Sequence, residues 1–121
     1  MQSILLDSVI LIDHFNGLAE ATEYLRRTEG FCVVSAITRA EVLTGFSPEG
    51  LRRALPLINH FPALEINTRT ADLAAALRRT HKWKLPDAFQ AALAQLHKIK
   101  LATRNHRDFP PDRFDFVTVP Y

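Results

Sequence analysis

The sequence is poor in the residues that build cross-linked or zinc-clustered proteins. Its 121 residues contain one cysteine, Cys32, inside the apolar run Phe31–Val34. One cysteine cannot form an internal disulfide or a zinc cluster, and a thiol in an apolar run is typical of a buried hydrophobic side chain. The five histidines have no metal-ligand spacing. The chain therefore needs no oxidising compartment, and we expect no zinc site.

Long apolar runs are also missing. No segment approaches the roughly 20 apolar residues that a membrane-spanning helix needs. The apolar start, Met1–Ile12, lacks a basic leader and contains Asp7, so we expect no signal peptide and a cytoplasmic location. The chain is 47% hydrophobic and 23% charged, which is typical of a folded protein. At this length we expect one domain over residues 1–121.

Charge is distributed unevenly along the chain. Residues 1–77 carry 6 Lys or Arg against 9 Asp or Glu, whereas residues 78–121 carry 9 against 4. Basic residues concentrated in one third of a chain suit a polyanionic partner such as RNA. A solvated basic surface is an equally good explanation of the charge taken alone.

Short apolar segments alternate with amphipathic ones. This alternation predicts an α/β fold with a parallel sheet and helices on both faces. Five segments are predicted as strands: Ile4–Leu6, Phe31–Val34, Ala63–Ile66, Leu101–Thr103 and Phe116–Val119. We find no repeat and no linker.

Several residues predict where helices begin. Ser8 and Ser35 each follow a strand and are good N-caps. Pro48 and Pro86 suit the first turn of a helix. The helix after Pro86 is apolar almost all round, which predicts burial. Trp83, among basic residues just before it, could stack on a base, but packing against the fold is the favoured interpretation.

Four acidic residues fall where ligands bind in a parallel sheet, outside the carboxyl ends of the strands. Asp7 ends the first strand, and Glu41 lies in the helix after the second. Asp87 is in the first turn of the apolar helix, and Asp108 follows the fourth strand. Four acids near one edge repel one another unless a cation joins them. All-oxygen ligands favour Mg²⁺ or Mn²⁺, which can activate water for phosphodiester hydrolysis.

Each acid also has a purely structural interpretation. Asp7 can bond to loop amides, and Asp108 can be an ordinary loop residue. Glu41 fits a capping box that starts at Thr38, although Ser35 is the better cap. Asp87 can simply complement the helix dipole. None of these explains why all four fall near the same edge.

Four segments resemble the motifs of PIN domains, in order and spacing, across nearly the whole chain. Leu5–Ile12 resembles the opening motif, and Val34–Val42 resembles the second, with Glu41 as its acid. Leu85–Ala88 resembles the third motif, and Leu101–Phe109 the fourth. The length also resembles that of VapC-type toxins from type II (VapBC) toxin–antitoxin systems.

The resemblance implies a three-layer fold with a five-stranded parallel sheet whose first strand is central. It implies that Asp7, Glu41, Asp87 and a fourth acid line one catalytic pocket, with the first three as ligands of Mg²⁺ or Mn²⁺. It further implies an endoribonuclease that acts on tRNA, rRNA or mRNA, inhibits translation and commonly forms a homodimer. A small VapB-type antitoxin that often binds operator DNA would block it.

Two departures from the family pattern stand out. Val9 occupies a position beside the pocket where many relatives have Asn or Ser. The fourth motif has Asn105 where some relatives have aspartate, so Asp108 is the fourth acid here, as a ligand or behind the ligands. Residues of this motif would position substrate: Thr103 and Asn105 through water or phosphate, and Arg104 and Arg107 through the RNA backbone.

Three other functions share some features with this sequence. A haloacid-dehalogenase-like phosphotransferase needs an aspartate where this chain has Val9, which argues against it. A receiver-type phosphoacceptor needs paired acids and a late lysine that do not fit the pattern. A catalytically degenerate PIN domain that binds RNA or protein without cleavage remains the alternative, because of Val9.

Overall fold

The fold is taken from a computed structural model that describes residues 3–121, so the predictions for Met1 and Gln2 lie outside the described residues. Its strands are β1 (Ile4–Leu6), β2 (Cys32–Ser35), β3 (Ala63–Leu64), β4 (Lys100–Ala102) and β5 (Val117–Thr118). They form one five-stranded sheet in the order β3-β2-β1-β4-β5, and every neighbouring pair is parallel. The predicted parallel sheet with a central first strand is confirmed.

Six helices connect and cover these strands. They are α1 (Ser8–Phe15), α2 (Ala19–Arg27), α3 (Ala36–Thr44), α4 (Pro48–Ile58), α5 (Thr68–His81) and α6 (Leu85–His97). The predicted helix starts at Ser35 and Pro48 are confirmed, since the Ser35 side chain accepts a hydrogen bond from the amide of Thr38 and Pro48 begins α4. None of these helices, within residues 3–121, is long and apolar enough to cross a membrane.

The cap of α1 differs from the prediction. Asp7, and not Ser8, is the N-cap, and its carboxylate accepts a hydrogen bond from the Ser8 amide at 2.8 Å. The backbone amide of Asp7 still donates a hydrogen bond to the carbonyl of Ala102 in β4 at 3.0 Å. Asp7 therefore both ends the central strand and begins the first helix, which fixes its backbone on two sides.

The core lies on both faces of the sheet because side chains alternate along a strand. Leu6 and Ala102 belong to a cluster with Ile10, Tyr24 and other residues of the α1–α4 side. Leu5 and Leu101 belong to a second cluster, with Leu93 of α6 and the aromatic residues near the C-terminus. This arrangement is the three-layer fold that the sequence predicts.

Trp83 is the centre of an aromatic cluster that holds the loop after β4. Its side chain is 4% exposed, and its ring lies 4.7 Å from that of Phe109 and 5.4 Å from that of Phe114. The indole nitrogen donates a hydrogen bond to the carbonyl of Asp108 at 3.1 Å. The prediction that this tryptophan packs against the fold is confirmed, and its hydrogen bond anchors the backbone of one of the four acids.

We expect Trp83→Ala to lower the free energy of unfolding by about 3–5 kcal/mol, the usual loss for a buried aromatic side chain. Urea denaturation followed by far-ultraviolet circular dichroism measures this loss. Phe31→Ala is the control, because Phe31 is 37% exposed and removes less buried surface. A loss below about 1 kcal/mol for Trp83→Ala would contradict the anchoring role.

Candidate active site

Asp7 lies at the carboxyl end of the central strand with both carboxylate oxygens hydrogen-bonded. One oxygen accepts from the Ser8 amide at 2.8 Å, and the other accepts from the Thr103 hydroxyl at 2.6 Å. Thr103 is fully buried just beyond β4, and its oxygen accepts in turn from the amide of Asn105 at 3.0 Å. These bonds hold the Asp7 carboxylate in one orientation.

The hydroxyl of Thr103 has one proton, and that proton is donated to Asp7. The sequence-based prediction gave Thr103 a role in positioning water or phosphate. Its geometry instead serves the carboxylate of Asp7. Position alone along the chain does not reveal this contact, because β1 and β4 are separated by most of the sequence.

Asp87 has the most perturbed carboxyl group of the site. Burial in the first turn of α6 is the main cause that raises its pKa to about 6. The negative charges of the other three acids, Asp7, Asp108 and Glu41, raise the pKa further, whereas the nearby Lys84 lowers it. The fold therefore brings all four predicted acids close enough to repel one another.

Glu41 occupies the exposed rim of the same pocket. Burial of its carboxyl group raises the pKa, the hydrogen bond from the side chain of Ser8 lowers it, and the charge of Asp7 raises it. Glu41 is thus exposed as a whole residue, yet its carboxyl group faces the negative charge at the end of β1. The pocket gathers acids from β1, α3 and α6.

The fourth acid, Asp108, is held by its own loop. Its carboxylate accepts a hydrogen bond from the Asn105 amide group at 3.0 Å, and its carbonyl accepts from Trp83. The side chain of Asn105 therefore holds the Asp108 carboxylate, while its backbone amide donates to the Thr103 hydroxyl. The loop from residue 103 to residue 108 is one hydrogen-bonded unit.

The four acids do not form a closed metal cage. Among residues 3–121, no three Asp, Glu, His or Cys side chains are grouped closely enough to hold an ion by themselves. Mg²⁺ requires fewer protein ligands than such a cage provides, because one or two carboxylates suffice when water and substrate oxygens complete its octahedral coordination. An all-oxygen donor set fits a divalent cation of this class, and so does a carboxyl pKa that is raised by burial and further raised by neighbouring negative charge.

Arg104, which the sequence predicted to contact the RNA backbone, is instead engaged in an ion pair. Its guanidinium makes two bonds with Asp13, at 2.7 Å and 2.9 Å. The Tyr121 hydroxyl donates to the same carboxylate at 2.7 Å. The side chain of Asp13 is 13% exposed and connects the C-terminus to α1. Arg107 is exposed and makes none of the ion pairs found in residues 3–121.

One buried polar residue was missed by the sequence analysis. Gln90 lies in the otherwise apolar helix α6 and is 2% exposed. It follows Asp87 by three residues, on the same side of the helix. A single amide in an apolar helix, one turn after a predicted acid, is the signal that could have identified it.

Cavities near and far from the acids differ in character. A groove of about 200 Å³ adjoins Glu41 and is lined mainly by apolar side chains in and just after α1 and α3, with Ile12 and Phe46 among them and Asn16 at its side. A larger cavity of about 510 Å³, lined by both apolar and charged side chains, lies at the amino end of β2, beside Gly30–Val33. Of the four acids, only Glu41 lines either of these two cavities.

Comparison with known proteins gives consistent matches. The PIN domain family matches residues 4–114. Ribonuclease VapC10 of Mycobacterium tuberculosis (strain H37Rv) is 34% identical over 125 aligned positions, which cover 98% of this chain and 92% of that protein. A chain of a toxin–antitoxin complex from Klebsiella pneumoniae is 38% identical, with a TM-score of 0.90 over 98% of both chains. DNA-bound VapBC from Salmonella typhimurium shares the fold, with 20% identity and a TM-score of 0.77 over 91% and 92% of the two chains.

We expect Asp87→Asn to stabilise the metal-free protein above pH 6. The folded state retains a proton that the unfolded state releases between the ordinary pKa of 3.8 and about 6, so the free energy of unfolding falls as pH rises through this window. Asparagine carries no such charge. Allowing for solvent screening, the gain is about 1 kcal/mol, or a few degrees in Tm.

Thermal unfolding in EDTA at pH 4 and pH 7.5 tests this expectation. The difference between Asp87→Asn and wild type is expected at pH 7.5 and nearly absent at pH 4, while Asp72→Asn on the exposed side of α5 serves as control. Mg²⁺ is expected to raise the Tm of wild type more than that of Asp87→Asn. A variant that is less stable than wild type at pH 7.5 would show that Asp87 supports the fold rather than opposing it.

Proposed function

Because this chain belongs to the PIN domain family, we propose that it is an endoribonuclease that hydrolyses RNA phosphodiester bonds with Mg²⁺ or Mn²⁺. The observation that carries the proposal is the electrostatic coupling of Asp87 to Asp7, Asp108 and Glu41 at one edge of the sheet. Such coupling opposes folding in the absence of a cation. A site that retains it is therefore suited to bind one.

Asp7 and Asp87 would hold the ion, directly or through water, and Glu41 would complete the set from the rim. Bound Mg²⁺ or Mn²⁺ supplies activation of the attacking water and stabilisation of the charge that develops on the scissile phosphate. Glu41 and Asp108 position that water through their carboxylate oxygens. Thr103 keeps the Asp7 carboxylate in place, and Asn105 does the same for Asp108.

Basic residues beside the pocket provide a path for the RNA backbone. Arg79 and Lys82, at the end of α5, line an open groove of about 490 Å³ together with the exposed side chain of Leu85. Lys84, next to this groove, interacts with Asp87. Arg107 is exposed near Asp108 and adds to this surface, whereas Arg104 is engaged by Asp13.

We further propose that the chain is the toxin of a toxin–antitoxin pair. The relatives named above include a ribonuclease and a chain of a toxin–antitoxin complex, and this chain aligns with nearly the whole length of each. The apolar groove beside Glu41 offers an amphipathic helix of a VapB-type antitoxin a surface from which it covers the pocket. Cleavage of tRNA, rRNA or mRNA in the cytoplasm would inhibit translation, and a homodimer is the proposed assembly.

The nuclease is tested by incubating total RNA and purified tRNA with the protein in Mg²⁺, in Mn²⁺ and in EDTA. We expect metal-dependent cleavage that Asp7→Asn lowers by about 100-fold or more, because a ligand of the ion is lost. Asp72→Asn is the matched control and is expected to cleave at the wild-type rate. Mn²⁺ binding without cleavage of any RNA would contradict the proposal and favour the non-catalytic binding module.

The RNA path makes a separate prediction about salt. Each Lys or Arg that neutralises a phosphate of single-stranded RNA adds about 0.7 to the slope of log affinity against log salt concentration. We expect Arg79→Ala combined with Lys82→Ala to weaken RNA binding and to lower this slope by about 1.4. Fluorescence anisotropy of a labelled RNA, measured with Asp7→Asn as the background, gives the slope.

Arg52→Ala combined with Arg53→Ala is the control for this measurement, because both residues are exposed on α4 and line none of the grooves described beside the acids. An unchanged salt slope in the Arg79 and Lys82 double variant would exclude this groove as the RNA path.

A further inference from the structure

A buried chain of polar groups connects the three elements that carry the predicted metal ligands. The Gln90 amide of α6 donates a hydrogen bond to the Thr38 hydroxyl of α3 at 2.6 Å. The Thr38 hydroxyl donates to the carbonyl of Leu6, the last residue of β1, at 3.4 Å. Gln90 is 2% exposed, and Thr38 and Leu6 are fully buried.

Each of these three hydrogen-bonded residues lies within one helical turn, along the sequence, of one of the acids. Leu6 immediately precedes Asp7. Thr38 is three residues before Glu41 on α3, and Gln90 is three residues after Asp87 on α6, so each pair shares a helix face. The hydrogen bonds therefore set the distance between the backbones that carry the three acids, beneath the pocket itself.

The orientation of the Gln90 amide follows from the number of bonds it permits. With the nitrogen toward Thr38, the threonine proton remains available for the Leu6 carbonyl. The amide oxygen of Gln90 is then buried and has no hydrogen-bond partner among the described residues. An unpartnered buried carbonyl costs stability, and a leucine of similar volume would avoid that cost.

We propose that Gln90 and Thr38 are positioning residues, which hold α6 and α3 against the end of β1 and so keep the carboxyl groups of Asp87 and Glu41 in place around the ion that Asp7 and Asp87 would bind. Mg²⁺ and Mn²⁺ require this because their coordination tolerates little displacement of the ligands. A residue kept at the expense of stability is typical of a functional constraint. The inference rests on the proposed metal site, but not on RNA cleavage.

Mn²⁺ binding, measured by the electron paramagnetic resonance signal of the free ion, tests the proposal in the full chain. We expect Gln90→Leu and Thr38→Val each to weaken Mn²⁺ binding by about tenfold, the lower range for residues that support metal ligands. The double variant is expected to lose no more Mn²⁺ affinity than either single variant, because both substitutions interrupt the same series of hydrogen bonds. Thr38→Ser, which keeps the hydroxyl, is expected to bind as wild type does.

Gln95→Leu is the matched control, since Gln95 is an exposed glutamine of the same helix. Thermal unfolding in EDTA separates positioning from folding: we expect Gln90→Leu to melt at or above the wild-type temperature. Thr38→Val, which has nearly the same shape as wild type, carries the test if Gln90→Leu does not fold.

Wild-type Mn²⁺ affinity in a folded Gln90→Leu or Thr38→Val would overturn the inference, and so would strictly additive losses in the double variant. A wild-type protein that binds Mn²⁺ but cleaves no RNA would contradict the nuclease and leave the positioning role intact. A wild-type protein that binds no Mn²⁺ would overturn both.

Discussion

Negative charge gathered at the end of the central strand is the constraint on which the rest of this structure depends. Asp7, Glu41, Asp87 and Asp108 come from four different segments. Burial raises the pKa of Asp87 to about 6, and the negative charges of the other three acids contribute to this rise. Charges of one sign remain together only if the surrounding structure is rigid enough to resist their repulsion. Much of the polar structure nearby serves this purpose.

Several hydrogen bonds supply that rigidity. Thr103 and the Ser8 amide hold the Asp7 carboxylate, and Asn105 holds that of Asp108. Trp83 fixes the backbone of the Asp108 loop from the aromatic cluster below it. The buried helix α6 then places Asp87 with little freedom, because most of its neighbours on that helix are in the core. The acids are thus positioned by packing and by directed hydrogen bonds together.

The basic residues divide into two groups with different roles. Arg104 is bound to Asp13, and the hydrogen bond between them raises the pKa of the arginine. With Tyr121 on the same carboxylate, this contact attaches the C-terminus to α1. Arg79, Lys82 and Lys84 instead remain exposed, and Lys84 lies close enough to Asp87 to lower the pKa of its carboxyl group. The distribution of charged residues along the sequence does not distinguish these two groups.

The central position of the first strand was implied by the resemblance to PIN domains. Periodicity and local residue patterns determined the other larger features from the sequence alone: the parallel sheet, the helix starts at Ser35 and Pro48, and the burial of α6. These features depend on local patterns, and so did the identification of Asp7, Glu41, Asp87 and Asp108 as acids of one edge. The prediction of Ser8 as the cap of α1 was wrong by one residue, because Asp7 bonds to β4 through its backbone amide and caps the helix with its side chain.

The partners of individual side chains were decided by the tertiary structure alone. Thr103 donates to Asp7, Arg104 pairs with Asp13, and Gln90 reaches Thr38 across residues that are distant in sequence. Directed hydrogen bonds depend on distances of a few tenths of an ångström and on angles, and both are set only when helices and strands pack. The sequence by itself determined which chemical groups meet at the sheet edge, and the packing decided which of them act on one another.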